Sequence, residues 1–139
     1  MKIGVPKEIK PQENRIGLTP ESVKTLVSNG HEVLVEKNGG FEAGFENDHY
    51  KSAGAKILDN AEDIFNDAEI IVKVKEPLSN EVKMIKENQI VFTYLHLAAA
   101  KELTKGLMGS KGICIAYETV TDNNGRLPLL APMSAVAGR

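Results

Sequence analysis

Residues 19–36 read Thr19-Pro20-Glu21-Ser22-Val23-Lys24-Thr25-Leu26-Val27-Ser28-Asn29-Gly30-His31-Glu32-Val33-Leu34-Val35-Glu36. Thr19 has the hydroxyl of an N-cap, Pro20 suits the first helical position, and Val23, Leu26 and Val27 share one face before Gly30 stops the helix. The run Glu32 to Glu36 then changes period and becomes an apolar β-segment. A capped helix followed at once by a nearly continuous apolar strand is the repeating unit of a parallel sheet covered by helices. The same alternation extends in both directions. Strands are expected over Lys2 to Val5, Glu69 to Val74, Gln89 to Tyr94 and Ile113 to Ala116, and further helices over Asp48 to Ala53, Ala61 to Asn66, Ser79 to Lys86 and Ala99 to Met108. The fold class read from this pattern is α/β, a doubly wound, mostly parallel sheet flanked by helices, of the flavodoxin or Rossmann-like kind.

The chain has 139 residues, about one domain's worth. With 17 basic and 19 acidic residues it lacks the positive excess that nucleic-acid binding needs. The single Cys114 cannot form an internal disulfide and points to a reducing compartment, the cytoplasm; it reads as a core residue. No apolar run is long enough for a membrane span. No His/Cys spacing suggests a metal site, and neither G-x-G-x-x-G nor G-x-x-x-x-G-K-[ST] occurs. Near the end, Leu127-Pro128-Leu129-Leu130-Ala131-Pro132-Met133 leads to Ser134, read as the N-cap of a helix that begins there and is cut off within Ala135-Val136-Ala137-Gly138-Arg139. A fragment of a longer protein is expected.

Ligands in such sheets bind beyond the carboxyl ends of the strands. Three basic side chains are expected there. Arg15 lies in the loop after the first strand and has a guanidinium suited to gripping a carboxylate. Lys75 ends the run Ile70-Ile71-Val72-Lys73-Val74-Lys75-Glu76-Pro77, where an ammonium needs an anionic partner. His96 follows Ile90-Val91-Phe92-Thr93-Tyr94-Leu95 and has a side chain that exchanges protons near neutral pH. Each has an ordinary reading: Arg15 as a solvated loop residue, Lys73 or Lys75 as a snorkelling cation or a partner of Glu76, His96 as a hydrogen-bonded packing residue. Their convergence on one sheet edge describes a pocket for a small carboxylate beside a proton carrier. Glu118, after the last strand, is either a supporting residue or a solvated carboxylate. His31 and His49 read as solvated.

Five blocks in order resemble the N-terminal part of the alanine dehydrogenase and pyridine nucleotide transhydrogenase family: Pro6-Lys7-Glu8 with Glu13-Asn14-Arg15-Ile16-Gly17-Leu18-Thr19-Pro20, the Gly44-Phe45 loop, Val72 to Pro77, Thr93-Tyr94-Leu95-His96-Leu97-Ala98, and Pro132-Met133-Ser134 with Val136-Ala137-Gly138-Arg139. Within that family, Lys75 and His96 look like alanine dehydrogenase rather than transhydrogenase. The resemblance implies reversible NAD-dependent oxidative deamination of L-alanine to pyruvate and ammonia. On the same basis, Arg15 and Lys75 hold the substrate carboxylate and carbonyl oxygen, and His96 is the acid/base. Tyr94 and Leu130 line the pocket, and Met133 and Ser134 approach the nicotinamide ring. Ala135 departs from the acidic residue common there in the family. Residues 1–132 are expected to be the substrate domain and residues 133–139 the start of a connecting helix towards an absent NAD-binding domain, which in the family also supplies a catalytic aspartate. The resemblance further implies a homo-hexamer for the full-length protein and no catalysis by this fragment alone. Two alternatives stay open: a transhydrogenase-like nucleotide-binding subunit, and a non-enzymatic small-carboxylate-binding module.

Overall fold

The computed structural model describes residues 1–138, so Arg139 at the end of the expected connecting helix lies outside the described residues. The strands are β1 (Lys2–Val5), β2 (Glu32–Glu36), β3 (Lys56–Leu58), β4 (Ile70–Val72), β5 (Ile90–Thr93) and β6 (Ile113–Ala116). The helices are α1 (Pro20–Ser28), α2 (Asn47–Ser52), α3 (Ala61–Asp67), α4 (Ser79–Val82), α5 (Lys101–Ser110) and α6 (Leu130–Ala137). All five strand pairings are parallel, and the order across the sheet is β3-β2-β1-β4-β5-β6. The doubly wound α/β expectation is met. The chain winds outward one way from β1 and the other way from β4, which creates a switch point where the loops after β1 and β4 diverge.

Period-two alternation divides the strand side chains between two apolar layers. Val33 and Val35 join Ile3, Val5, Val23 and Tyr50 on the face covered by α1 and α2. Leu34 and Ile71 join Ile64, Phe65, Val91 and Leu107 on the face covered by α3, α4 and α5. β6 is an edge strand with one bare side: Ile113 and Ile115 are exposed, whereas Cys114 and Ala116 pack into the second layer. Cys114 is half-buried rather than fully in the core, and burial pushes its thiol pKa up.

The helix that decided the fold ends as its sequence implies. Thr19 Oγ1 accepts from the Ser22 N–H, and His31 N–H and Gly30 N–H bond back to the carbonyls of Leu26 and Val27 around Gly30 at φ +89°. Other expectations need correction. β3 was not foreseen, because three residues with an exposed Lys56 carry no apolar run. β4 stops at Val72 instead of Val74, since a carboxylate takes the N–H groups of Val74 and Lys75. α4 ends at Val82, short of Lys86. Ser134 is not an N-cap: α6 starts at Leu130 and Ser134 sits in its interior, exposed. His31 is half-buried, and its Nδ1 is buried without a partner among the described residues. His49 is exposed, and its Nδ1 accepts the Glu46 N–H at the start of α2. No helix of the described residues is long and apolar enough to cross a membrane.

Candidate active site

Glu8 ties the two loops of the switch point together. Its Oε2 accepts from Lys73 Nζ at 2.9 Å, and its Oε1 accepts the Val74 N–H at 2.5 Å and the Lys75 N–H at 3.3 Å. Glu81 meets Lys73 Nζ from the other side at 2.9 Å. The three side chains are 2%, 1% and 3% exposed for Glu8, Lys73 and Glu81. A buried ammonium between two carboxylates is held by charge-assisted bonds that the apolar surroundings cannot replace. Lys73 therefore neither snorkels nor pairs with Glu76, whose partner is Lys10. The loop after β1 is pinned a second time by that Lys10–Glu76 pair. Further along, a Cβ on Gly17 would lie 2.7 Å from the Val72 carbonyl oxygen, so only glycine allows the backbone to pass there.

The Lys75 backbone is fixed at both polar groups, its N–H by Glu8 and its carbonyl by Thr93 Oγ1 at 2.9 Å. The half-buried side chain places Nζ 5.4 Å from the centroid of the Tyr94 ring. On that ring the His96 imidazole is stacked, with centroids 5.9 Å apart and planes inclined by 16°. Tyr117 stands edge-on to Tyr94 at 6.2 Å, and its hydroxyl donates to the Val74 carbonyl at 2.6 Å, the same carbonyl that accepts the Tyr94 N–H at 3.2 Å. Burial above all pushes the Tyr117 phenol up to about 12, so it stays a neutral donor at neutral pH.

His96 has an unusual backbone for a residue with a side chain. Its φ of 47° and ψ of 46° lie in the left-handed region. Glu118 holds it there: Oε1 accepts the His96 N–H at 2.8 Å, and the two carboxylate oxygens accept the Leu95 N–H at 3.1 and 3.2 Å. Glu118 is buried, so the solvated reading of this carboxylate is wrong. The imidazole itself is exposed.

Arg15 approaches from the loop after β1. Glu13 grips it, with Nε donating to Oε1 at 2.8 Å and Nη2 to Oε2 at 2.7 Å. The hydrogen bond from Arg15 holds the Glu13 carboxyl below its ordinary value, and the positive charge of Lys75 adds a smaller pull in the same direction. Arg15 in turn feels the negative charge of Glu8, and its own charge acts on Tyr117.

Lys75, Tyr94 and His96 thus form one contiguous group, and Arg15 lies within electrostatic reach of it, acting on Tyr117 while its partner Glu13 feels Lys75. Leu130, Met133 and Ser134 lie on α6, which packs on the 3-10 turn Tyr117–Thr119. Leu130 and Met133 are half-buried and Ser134 exposed. Two hollows of the surface lie elsewhere, one between α4 and α5 and one beside Thr19 and Phe45. Glu8, Glu13 and Tyr117 were missed as supporting residues. An acidic residue two positions before an arginine in a loop was the readable sign of the Glu13–Arg15 pair.

Residues 4–137 match the family described as "Alanine dehydrogenase/PNT, N-terminal domain". The chain is 56% identical over its full 139 residues to alanine dehydrogenase of Staphylococcus epidermidis strain RP62A, covering 37% of that protein. It is 53% identical over the same length to alanine dehydrogenase of Bacillus subtilis, covering 36% of it. Among solved structures, an L-alanine dehydrogenase superposes with a TM-score of 0.96 at 54% identity, over 100% of this chain and 38% of the other. A transhydrogenase from Sinorhizobium meliloti is more distant, with a TM-score of 0.80 at 28% identity, over 85% of this chain and 35% of the other. The chain therefore spans a little over a third of the length of these relatives. With the sheet order, the switch-point site and these likenesses in agreement, the chain belongs to the alanine dehydrogenase/PNT N-terminal domain family.

Proposed function

We propose that this chain is the substrate-binding part of an NAD-dependent alanine dehydrogenase, which interconverts L-alanine with pyruvate and ammonia. The reading is carried by the grouping of the Lys75 ammonium and the exposed His96 imidazole about the Tyr94 ring, at the carboxyl edge of the sheet. Arg15 and Lys75 hold the carboxylate and polarise the carbonyl oxygen of the 2-oxo acid, where preset positive charge stabilises developing negative charge. His96 accepts a proton from the water that adds to C2 of the 2-iminio acid and passes it to the amino group; the C–N bond then breaks, ammonia leaves, and the new hydroxyl returns its proton to His96 as it becomes the carbonyl. Tyr94, with Leu130 from α6, walls the pocket. The dinucleotide, when bound, takes up or returns the hydride at Cα. Met133 and Ser134 fit a contact with its nicotinamide end, being half-buried and exposed side by side on α6. The glycine-rich cradle for its phosphates belongs to a following domain, so that residues 1–132 form the substrate domain and residues 133–139 lead out of it. Cytoplasmic location and a homo-hexamer belong to the same proposal.

The test is NADH oxidation with pyruvate and ammonium by the complete polypeptide carrying this sequence. Lys75→Ala and His96→Ala should each lower turnover by at least about 100-fold. Turnover unaffected by both changes would refute the roles given to Lys75 and His96, no turnover in the unaltered polypeptide would favour a nucleotide-binding subunit like the transhydrogenase, and NADH oxidation by the 139-residue chain alone would refute the division into domains.

A further inference from the structure

A guanidinium has two planar edges able to grip a carboxylate, one formed by Nε and Nη2 and the other by Nη1 and Nη2. Glu13 occupies the first edge of Arg15 with paired bonds of 2.8 and 2.7 Å, and its Oε1 also accepts the Arg15 backbone N–H at 3.0 Å. The Glu13 side chain is only 7% exposed, whereas that of Arg15 is 53% exposed. Nη1 makes no hydrogen bond among the described residues. Side chain and backbone of Arg15 are thus locked by one buried carboxylate, and one complete edge of the fork is left open.

We infer that Glu13 is a positioning residue that reserves the Nη1/Nη2 edge of Arg15 for the substrate, so that the substrate carboxylate docks end-on against a guanidinium already ordered. The inference rests on the reading of Arg15 as the carboxylate anchor. An arginine free to sample its rotamers loses that freedom when it binds, which weakens binding, and the Glu13 bonds remove this loss beforehand.

In the complete polypeptide, Glu13→Gln is expected to raise KM for pyruvate about tenfold while kcat stays within about twofold and KM for ammonium is unmoved. Glu13→Asp, which keeps the charge one methylene back, should recover at least half of the loss on a logarithmic scale. In an Arg15→Lys background, Glu13→Gln should add less than about twofold, because the two residues act as one unit. Circular dichroism checks that each variant is folded, and the Asp variant supplies the test if Gln does not fold. If Arg15→Lys raises KM and Glu13→Gln leaves it unchanged, Glu13 has no positioning role and the anchor reading stands. If Glu13→Gln lowers KM, Glu13 is a competitor for the fork and the inference is overturned. If Arg15→Lys itself leaves KM unchanged, the anchor reading falls, and the inference with it.

Discussion

Replacing Glu118 by alanine removes the carboxylate that holds the Leu95 and His96 N–H groups where the His96 backbone turns left-handed. Glu118 accepts two N–H groups, those of Leu95 and His96, and it is buried, so no solvent is in place to take them over. A left-handed conformation costs a residue with a side chain about 1–2 kcal/mol relative to its ordinary basins. With RT near 0.59 kcal/mol, loss of the clamp reduces the population of the competent backbone by roughly 5- to 30-fold, and kcat should fall by the same factor. Arg15 and Lys75, the proposed substrate cations, are held by Glu13 and, through the Lys75 N–H, by Glu8 instead, so KM for pyruvate should change little. Glu118→Gln can keep its oxygen at the Oε1 position, which accepts both N–H groups, but sets an amide donor against the Leu95 N–H; its loss should be smaller, about threefold. The assay is steady-state NADH oxidation in the complete polypeptide, with thermal unfolding as the check on folding. A folded Glu118→Ala protein with unchanged kcat would show that the conformation of His96 is set by something else.

Lys73→Met leaves Glu8 and Glu81 facing each other without their ammonium and should destabilise the fold by about 3–5 kcal/mol, measured by denaturant unfolding; a change below 1 kcal/mol would refute the buried triad as described. The Glu13–Arg15 pair sets an acid dependence. Glu13 has an ordinary value of 4.5 that is lowered in the folded chain, so its stabilising contribution is complete above pH 4.5 and disappears as pH falls through the lowered value. Acid unfolding of wild type and Glu13→Gln should therefore differ above pH 4.5 and converge below it, with the gap kept small by the exposure of Arg15.

The winding of the chain was legible because β1, β2 and β6 are short apolar runs set between capped or amphipathic helices, and their ends match the structure. β3 was illegible for the opposite reason: Lys56-Ile57-Leu58 gains its pairing from Leu34 to Glu36 on β2, a tertiary contact without a local pattern. The basic side chains of the site were legible as chemistry-bearing residues at strand ends. Of their supporting carboxylates, Glu13 alone had a local sign, in Arg15 two positions on, and nothing local distinguishes Glu8 or Glu118 from a solvated acid. What commits each of them is a partner brought up by folding: Lys73 and the Val74 N–H for Glu8, the Leu95 and His96 N–H groups for Glu118. The start of α6 at Leu130 was misplaced because the serine at 134 has the side chain of a cap and the leucine at 129, which holds that position, does not.

The handedness of the turn at His96 narrows the routes by which the chemistry proposed for it can change over evolutionary time. Glycine, asparagine and aspartate settle readily into such a turn, but none brings a base that ionises near neutrality. Lysine and tyrosine bring other proton chemistry at the expense of a strained main chain. A descendant that abandons imidazole must therefore reshape the corner itself, and one that reshapes the corner loses the aim of whatever side chain it carries.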